Sequence, residues 1–549
     1  MNRRKHELSR RGFMGGAAAT AAAASLGLSG RALAGPAARA ERIQRAGFQA
    51  EENVIIIGTL GEASTINPFL ENDTEAYWRC KMLYEQFVRV DGATFAPTPG
   101  FGIAQDWTLD GLTYTFTLQP NAVFSDGTDV TADDVAFTIL GFLHPDTASP
   151  QAGKFFSIAG AQEYVDGTAT EVSGLEVVDA KTLKITLAEP DASFLFNLRY
   201  LFPLPKAQLE GKSLSDDPWF DNPIGAGPFV FESWSVGGDW VAKKSPTYYQ
   251  EGKPGLDGII HRTIADANTL ALALQTGEID GSVYPAPTLR DQIAQNPDMT
   301  FTVPPFTSPD GWMFNFQNEW LAKKEVRQAI CMAIDVKQYV ADSLMGMGDV
   351  GVGPIAPDNW AFDPNLKNLP YDPAKAKELL DSVSFPAGTA FRATVNTGNV
   401  LREDWLVFSQ QALKEIGIEF TPEPQEYATL VDAVGARDFE MCGVLWGGIT
   451  ADPGELREQF LTDASGNFTG YSNPELDQLL DQAKQELDMD KAKELYAQIQ
   501  QIIIDDAPFF FAWYRPFLNV VHKRFTNITP SNLEEQLFYA LEDFIVAAS

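Results

Sequence analysis

Near the end of the chain, Trp446-Gly447-Gly448-Ile449-Thr450-Ala451-Asp452-Pro453 sets a tryptophan and an aspartate between an apolar run and the polar stretch Glu455–Phe460. A carboxylate in that setting has three uses: a catalytic acid or base, an anchor for a cationic ligand group, or a cap for the helix that follows. Catalysis needs partners, and few are on offer. Beyond residue 34 the histidines are His144, His261 and His522, with no HExxH, CxxC or paired-histidine spacing to bind zinc. No metal or other cofactor is expected. The serine hydrolase patterns G-x-S-x-G and S-x-x-K are absent. Gly225–Phe229 and Gly351–Pro354 are glycine-rich, but both lack the Lys-Ser/Thr of a phosphate loop and read as turns. A pair of carboxylates placed for glycoside hydrolysis stays open, because spacing in space is invisible in a sequence. A secreted carboxylate-dependent hydrolase is therefore the alternative reading.

The elements that must position these residues belong to a large folded chain. Its 549 residues exceed one ordinary core, and 45% are hydrophobic, so two or three domains are expected. A net charge of −33 disfavours nucleic acid as a partner and reads as surface solvation. The start, through Ala32-Leu33-Ala34, has a basic stretch, an Ala/Gly-rich weakly apolar run and a small-x-small cleavage site, the pattern of a signal peptide over 1–34. Within it Ser9-Arg10-Arg11-Gly12-Phe13-Met14 resembles the twin-arginine export signal. No later stretch is apolar enough to span a membrane, so the expected location is the periplasm. Three widely spaced cysteines, Cys80, Cys331 and Cys442, make no disulfide framework, and Cys331 reads as a buried free thiol.

Along the mature chain the patterns alternate. Residues 35–52 read as a flexible leader. Asn53–Leu60 is a continuous β-rich run, as in a strand buried on both faces. Leu112, Tyr114, Phe116 and Leu118 alternate with polar residues, a half-exposed strand. Thr131-x-x-Asp134 fits a capping box before an apolar helix. Gly237-Gly238 marks a hairpin turn. Asn473-Pro474 opens an amphipathic helix whose apolar face is Leu476, Leu479, Leu480, Ala483 and Leu487. A second follows, with Leu495, Tyr496, Ile499, Ile502 and Ile503 on one face. The mixed order implies α/β lobes.

Several segments, in order, carry a resemblance: "STINPF" (64–69), "LYEQFVRVDG" (83–92), "NPIGAGPFVFESW" (222–234), "EVRQAICMAID" (325–335), "YDPAKAKELL" (371–380) and the long run 471–508. Together with the 111–139 and 256–280 segments, they resemble the large solute-binding proteins of bacterial peptide-type (family 5) ABC importers. That resemblance implies an α/β fold of two lobes on a hinge, with an extra domain inserted in the first lobe. Lobe 1 would comprise 53–90, 220–305 and 510–549, the insert 91–219 and lobe 2 306–509. It implies a monomer without enzymatic activity that closes on a small molecule or short peptide and hands it to an inner-membrane ABC permease. By the same resemblance, Glu62, Ser64, Trp312, Asn315, Trp446, Gly447 and Asp452 are the candidate ligand-binding residues. In the family's W-x-A-D-Y-x-D-P pattern the first acidic position is here Ile449, and only Asp452 survives. The ligand is then a short peptide or another solute of the kinds the family carries, such as oligosaccharides or opine-type conjugates. Asp452 is a ligand contact or a helix cap. The two tryptophans are ligand faces or core, and Glu62 and Ser64 are site residues or an exposed turn.

Overall fold

The strand Val54–Thr59 has every residue buried, and only a sheet covered on both faces permits that. The computed structural model, which describes residues 35–49, 52–303, 309–445, 452–515, 518–529, 531 and 536–547, places this strand in the middle of a seven-stranded sheet. It pairs in parallel with Gly258–Thr263 and Gly281–Val283. The hairpin Phe229–Trp234/Asp239–Lys244, turning through Gly237 in the left-handed region (φ 74°), extends one edge. Asn519–His522 and Met299–Thr302 form the other. This is lobe 1.

Lobe 2 holds a six-stranded sheet in the order Asp349–Val350, Phe509–Tyr514, Pro309–Phe314, Met441–Leu445, Thr389–Asn396, Ile418–Gln425. The chain enters it after Met299–Thr302 and leaves it after Phe509–Tyr514, so two adjacent crossings join the lobes. A separate four-stranded antiparallel sheet, ordered Ala104–Asp110, Thr113–Leu118, Thr182–Thr186, Leu175–Asp179, forms the inserted domain. Its inward Phe116, Leu183 and Ile185 belong to the same buried cluster as Ile55 and Ile57 of lobe 1. Lobe 2 has clusters of its own around Trp312 and Trp405, and around Phe460 and Tyr496. Shared apolar burial thus welds the insert to lobe 1 and leaves lobe 2 a distinct body.

Local signals place several elements. Thr131 and Asp134 exchange side-chain and backbone hydrogen bonds at the start of Ala132–Leu143. Asn473 accepts from the amides of Glu475 and Leu476 at the start of Pro474–Gln485, with Pro474 in the first turn.

Three expectations are corrected. The 35–52 leader holds a helix, Pro36–Arg45, because Arg39 and Arg42 reach carboxylates of lobe 1 and Ile43 is buried. The return to lobe 1 comes after residue 514 rather than at 510. Phe509–Tyr514 is a lobe 2 strand whose Phe509 and Phe511 enter one lobe 2 cluster and Phe510 and Trp513 the other. Leu487 is 49% exposed because the helix ends at Gln485, before its turn of the stripe.

The last described segment, 536–547, closes lobe 1. Arg89, buried, donates to Glu542 (2.6 Å) and to the Tyr539 carbonyl (2.9 Å), which also receives Lys81 (2.6 Å). Each buried cation there has an acceptor, as burial demands.

Candidate ligand-binding site

In open parallel sheets, ligands sit outside the carboxyl ends of the strands. In lobe 1 those ends lead into the loop 60–66 and to Tyr284; in lobe 2 they are Asn396 and the segment after Leu445.

Glu62 lies on the lobe 1 loop. Its Oε1 accepts from Arg79 (3.1 Å) and the Trp234 indole (2.9 Å); its Oε2 accepts from Thr263 (2.6 Å) and the Gly237 amide (3.0 Å). Burial works to raise its pKa, but Thr263, Trp234 and Arg79 outweigh it and hold the carboxyl below its usual range. Four donors occupy its oxygens, so Glu62 braces the hairpin and the neighbouring strand. Behind it Arg79 stacks on Trp234, 4.9 Å from the ring centre, and faces His261 Nδ1 at 3.4 Å. His261 Nε2 lies 2.8 Å from Thr59 Oγ1, whose hydroxyl in turn reaches the Gly61 carbonyl at 3.1 Å. Burial and Arg79 hold His261 neutral. Ser64 is exposed: its amide donates to Asp73 (3.1 Å), and it lines a cavity of about 470 Å³ with Phe231, Trp234, Asp216 and Asp221. Tyr284, at the end of Gly281–Val283, holds φ 62° and donates its amide to Leu518 beside the hinge. A non-glycine residue there costs about 1 kcal/mol or more, a strain typical of functional strand ends.

On lobe 2, Asp310 is fully buried at the hinge end of its strand. Its Oδ2 accepts from Arg402 Nε (3.2 Å) and Arg515 Nη2 (3.0 Å). Arg402 also donates to Asn396 (2.9 Å), and Asn399 caps the helix Val400–Glu415 that carries it. Two guanidiniums thus share one carboxylate, and burial with the nearby Arg402 charge lowers the pKa of Arg515. Arg515 Nε is buried without a partner among the described residues. A residual positive charge at the strand ends suits an anionic group, which a guanidinium binds by charge-assisted hydrogen bonds.

The other expected residues lie elsewhere. Trp312 is fully buried, donates to Ser409 (2.9 Å) and packs edge-on against Phe420, so its ring meets core. Asn315 sits beyond the opposite end of the strand, about 16 Å from Asp310 at strand spacing. Its amide donates to the carbonyls of Arg437 and Phe439, and its oxygen accepts from Gln317. Trp446, Gly447 and Ile449 fall outside the described residues. Asp452 accepts from the Gly454 amide (2.9 Å) ahead of the helix Glu455–Phe460, and its carboxylate also hydrogen-bonds Ser193 of the inserted domain. Asp310, Arg402, Arg515 and Tyr284 carry no local motif. The first three are separated by 92 and 205 positions.

Comparison with known proteins meets this geometry. Residues 98–468 match the model of the bacterial extracellular solute-binding proteins, family 5 (middle). The di/tripeptide-binding protein 1 of Pseudomonas aeruginosa (strain UCBPP-PA14) is 28% identical over 452 residues, covering 77% of this chain and 82% of that protein. The oligopeptide-binding protein AppA of Bacillus subtilis, solved with a nonapeptide, superimposes with a TM-score of 0.78 at 26% identity, over 90% of this chain and 99% of AppA. The ABC transporter substrate-binding protein CtaP of Listeria monocytogenes does so with a TM-score of 0.80 at 25% identity, over 90% and 100%.

Proposed function

Because this chain belongs to the bacterial extracellular solute-binding proteins of family 5, we propose that it is a monomeric periplasmic receptor that closes two lobes around a small solute with an anionic end and delivers it to an inner-membrane ABC importer, performing no chemistry itself. The observation that carries the ligand class is the Arg402–Asp310–Arg515 cluster, two cations to one anion at the strand ends of lobe 2. A short peptide meets that requirement through its terminal carboxylate, and the names of the relatives support peptides. Opine-type conjugates carry the same group. Ser64 lines the lobe 1 side and Glu62 holds its loop, while Trp446 and Gly447, outside the described residues, are contacts that the resemblance alone implies. Residues 1–34 direct export as a twin-arginine-type signal.

The test is a thermal-shift screen of residues 35–549 against di- to pentapeptides, their C-terminal amides, opine-like amines and neutral oligosaccharides. A ligand at 100 times its Kd adds about 2.7 kcal/mol of stability. Free peptides or opine-like acids should stabilise the protein and peptide amides should not. In Arg515→Gln the acid's affinity should fall by about 2 kcal/mol or more. A response confined to neutral oligosaccharides would refute the anionic-end reading.

A further inference from the structure

Away from the hinge, a group of hydrogen bonds joins the inserted domain to lobe 2. The loop 188–193, which follows the strand Thr182–Thr186, meets the C-terminal end of the helix Pro474–Gln485 and the turn 452–454. The Ala192 amide donates to the Lys484 carbonyl at 2.9 Å. That carbonyl lies in the last turn of its helix, where no intrahelical amide is available, so an amide from another domain completes the helix end. The Lys484 ammonium reaches Glu189 Oε1 at 2.6 Å, and Gln485 reaches Glu189 Oε2 at 3.5 Å. Ser193 hydrogen-bonds Asp452. Gly454 makes this approach feasible, since a Cβ there would lie 2.3 Å from Ser193 Oγ.

We infer that loop 188–193 and the Asp452–Gly454/Lys484 surface form a latch that holds the receptor closed from outside the ligand site, with Ser193, Glu189, Lys484 and Asp452 as its positioning residues. The inference rests on the two-lobed receptor reading above. The apolar clusters explain why a latch would work here. The insert shares its core with lobe 1, whereas lobe 2 has separate cores, so the hydrogen bonds and ion pair named above can part without opening either core.

The surroundings of Asp452 are charged on both sides of this contact. Facing Asp452 are Asp191 and Ser193 from the loop, Lys154 from the insert and Tyr496 from the helix Met489–Asp506; Glu189 and Lys484 pair beside them, and Tyr114 faces Asp191. Burial raises the Asp452 pKa, Asp191 adds to the rise, and the bonds from Ser193 and Gly454 and the charge of Lys154 oppose it.

The experiment uses small-angle scattering and melting of residues 35–549 with no ligand added, so it does not depend on which solute binds. Glu189→Lys places two like charges at the latch and should raise the open population about five-fold or more, read as a larger radius of gyration. Adding Lys484→Glu should restore the compact value. An earlier melt in Glu189→Lys with an unchanged radius of gyration would mean that the surface merely holds the insert in place, and would overturn the latch.

Discussion

A guanidinium that leaves water must find its counter-charge inside the protein, and Asp310 supplies one carboxylate to two of them. Asp280 likewise receives two, Arg39 and Arg524, but both of those also donate to the Val54 carbonyl, whereas Arg515 has Asp310 alone among the described residues. Arg79, by contrast, shares Glu62 with no second guanidinium among the described residues and has a tryptophan face beneath it. The three cysteines show the opposite, fully structural case. All are free and buried, and burial pushes the Cys442 thiol up to about 12 and raises Cys80 and Cys331 as well. A thiol held protonated and out of reach does not attack. The native protein should therefore leave a colorimetric disulfide reagent unreacted at neutral pH, and denaturant should release three equivalents. A fast-reacting thiol in the native state would contradict this burial.

At the scale of elements, the helix Pro36–Arg45 is part of lobe 1 rather than an appendage. Arg39 donates to both oxygens of Asp280 (2.8 and 3.0 Å) and to the Val54 carbonyl (2.9 Å), clipping the helix to the central strand. Arg39→Ala should cost about 2 kcal/mol, the worth of hydrogen bonds to a charged group, and denaturant unfolding would measure it. A midpoint equal to that of the unsubstituted chain would show that Arg524, also on Asp280 at 2.8 Å, suffices alone. This helix eluded the sequence reading because it is polar and short; its stability comes from carboxylates some 200 positions away, outside any local window. Thr131 with Asp134, Asn473 with Pro474 and the Gly237-Gly238 turn were legible because cap and turn chemistry is written within four residues. The site divides the same way. Ser64 was named only through the family resemblance, whereas Asp310, Arg402 and Arg515 meet only once the lobe 2 sheet is assembled. Trp312 misled because a tryptophan beside an apolar strand looks the same whether it faces core or cleft.

At the scale of the whole molecule, the separation of cores determines what can move. In the proposed closure, lobe 1 and the insert, which share a core, move together, and lobe 2 rotates on the two chain crossings. A solute that stabilises the protein in the thermal-shift screen should also reduce its radius of gyration in small-angle scattering, because ligand and lobes then bury one another. Identical scattering curves with and without such a solute would argue for a rigid cleft.

The clamp on the last segment has a consequence for how the protein is made. Lobe 1 starts with the first strand but acquires Asn519–His522 for its sheet, and Tyr539 and Glu542 for its buried cations, only from the far end of the chain. No nascent chain still lacking those residues can complete its first lobe, so the ribosome must release nearly the whole polypeptide before that lobe acquires its final form. Lobe 2, whose last strand Phe509–Tyr514 precedes those residues, can mature earlier, leaving the lobe begun first to be finished last.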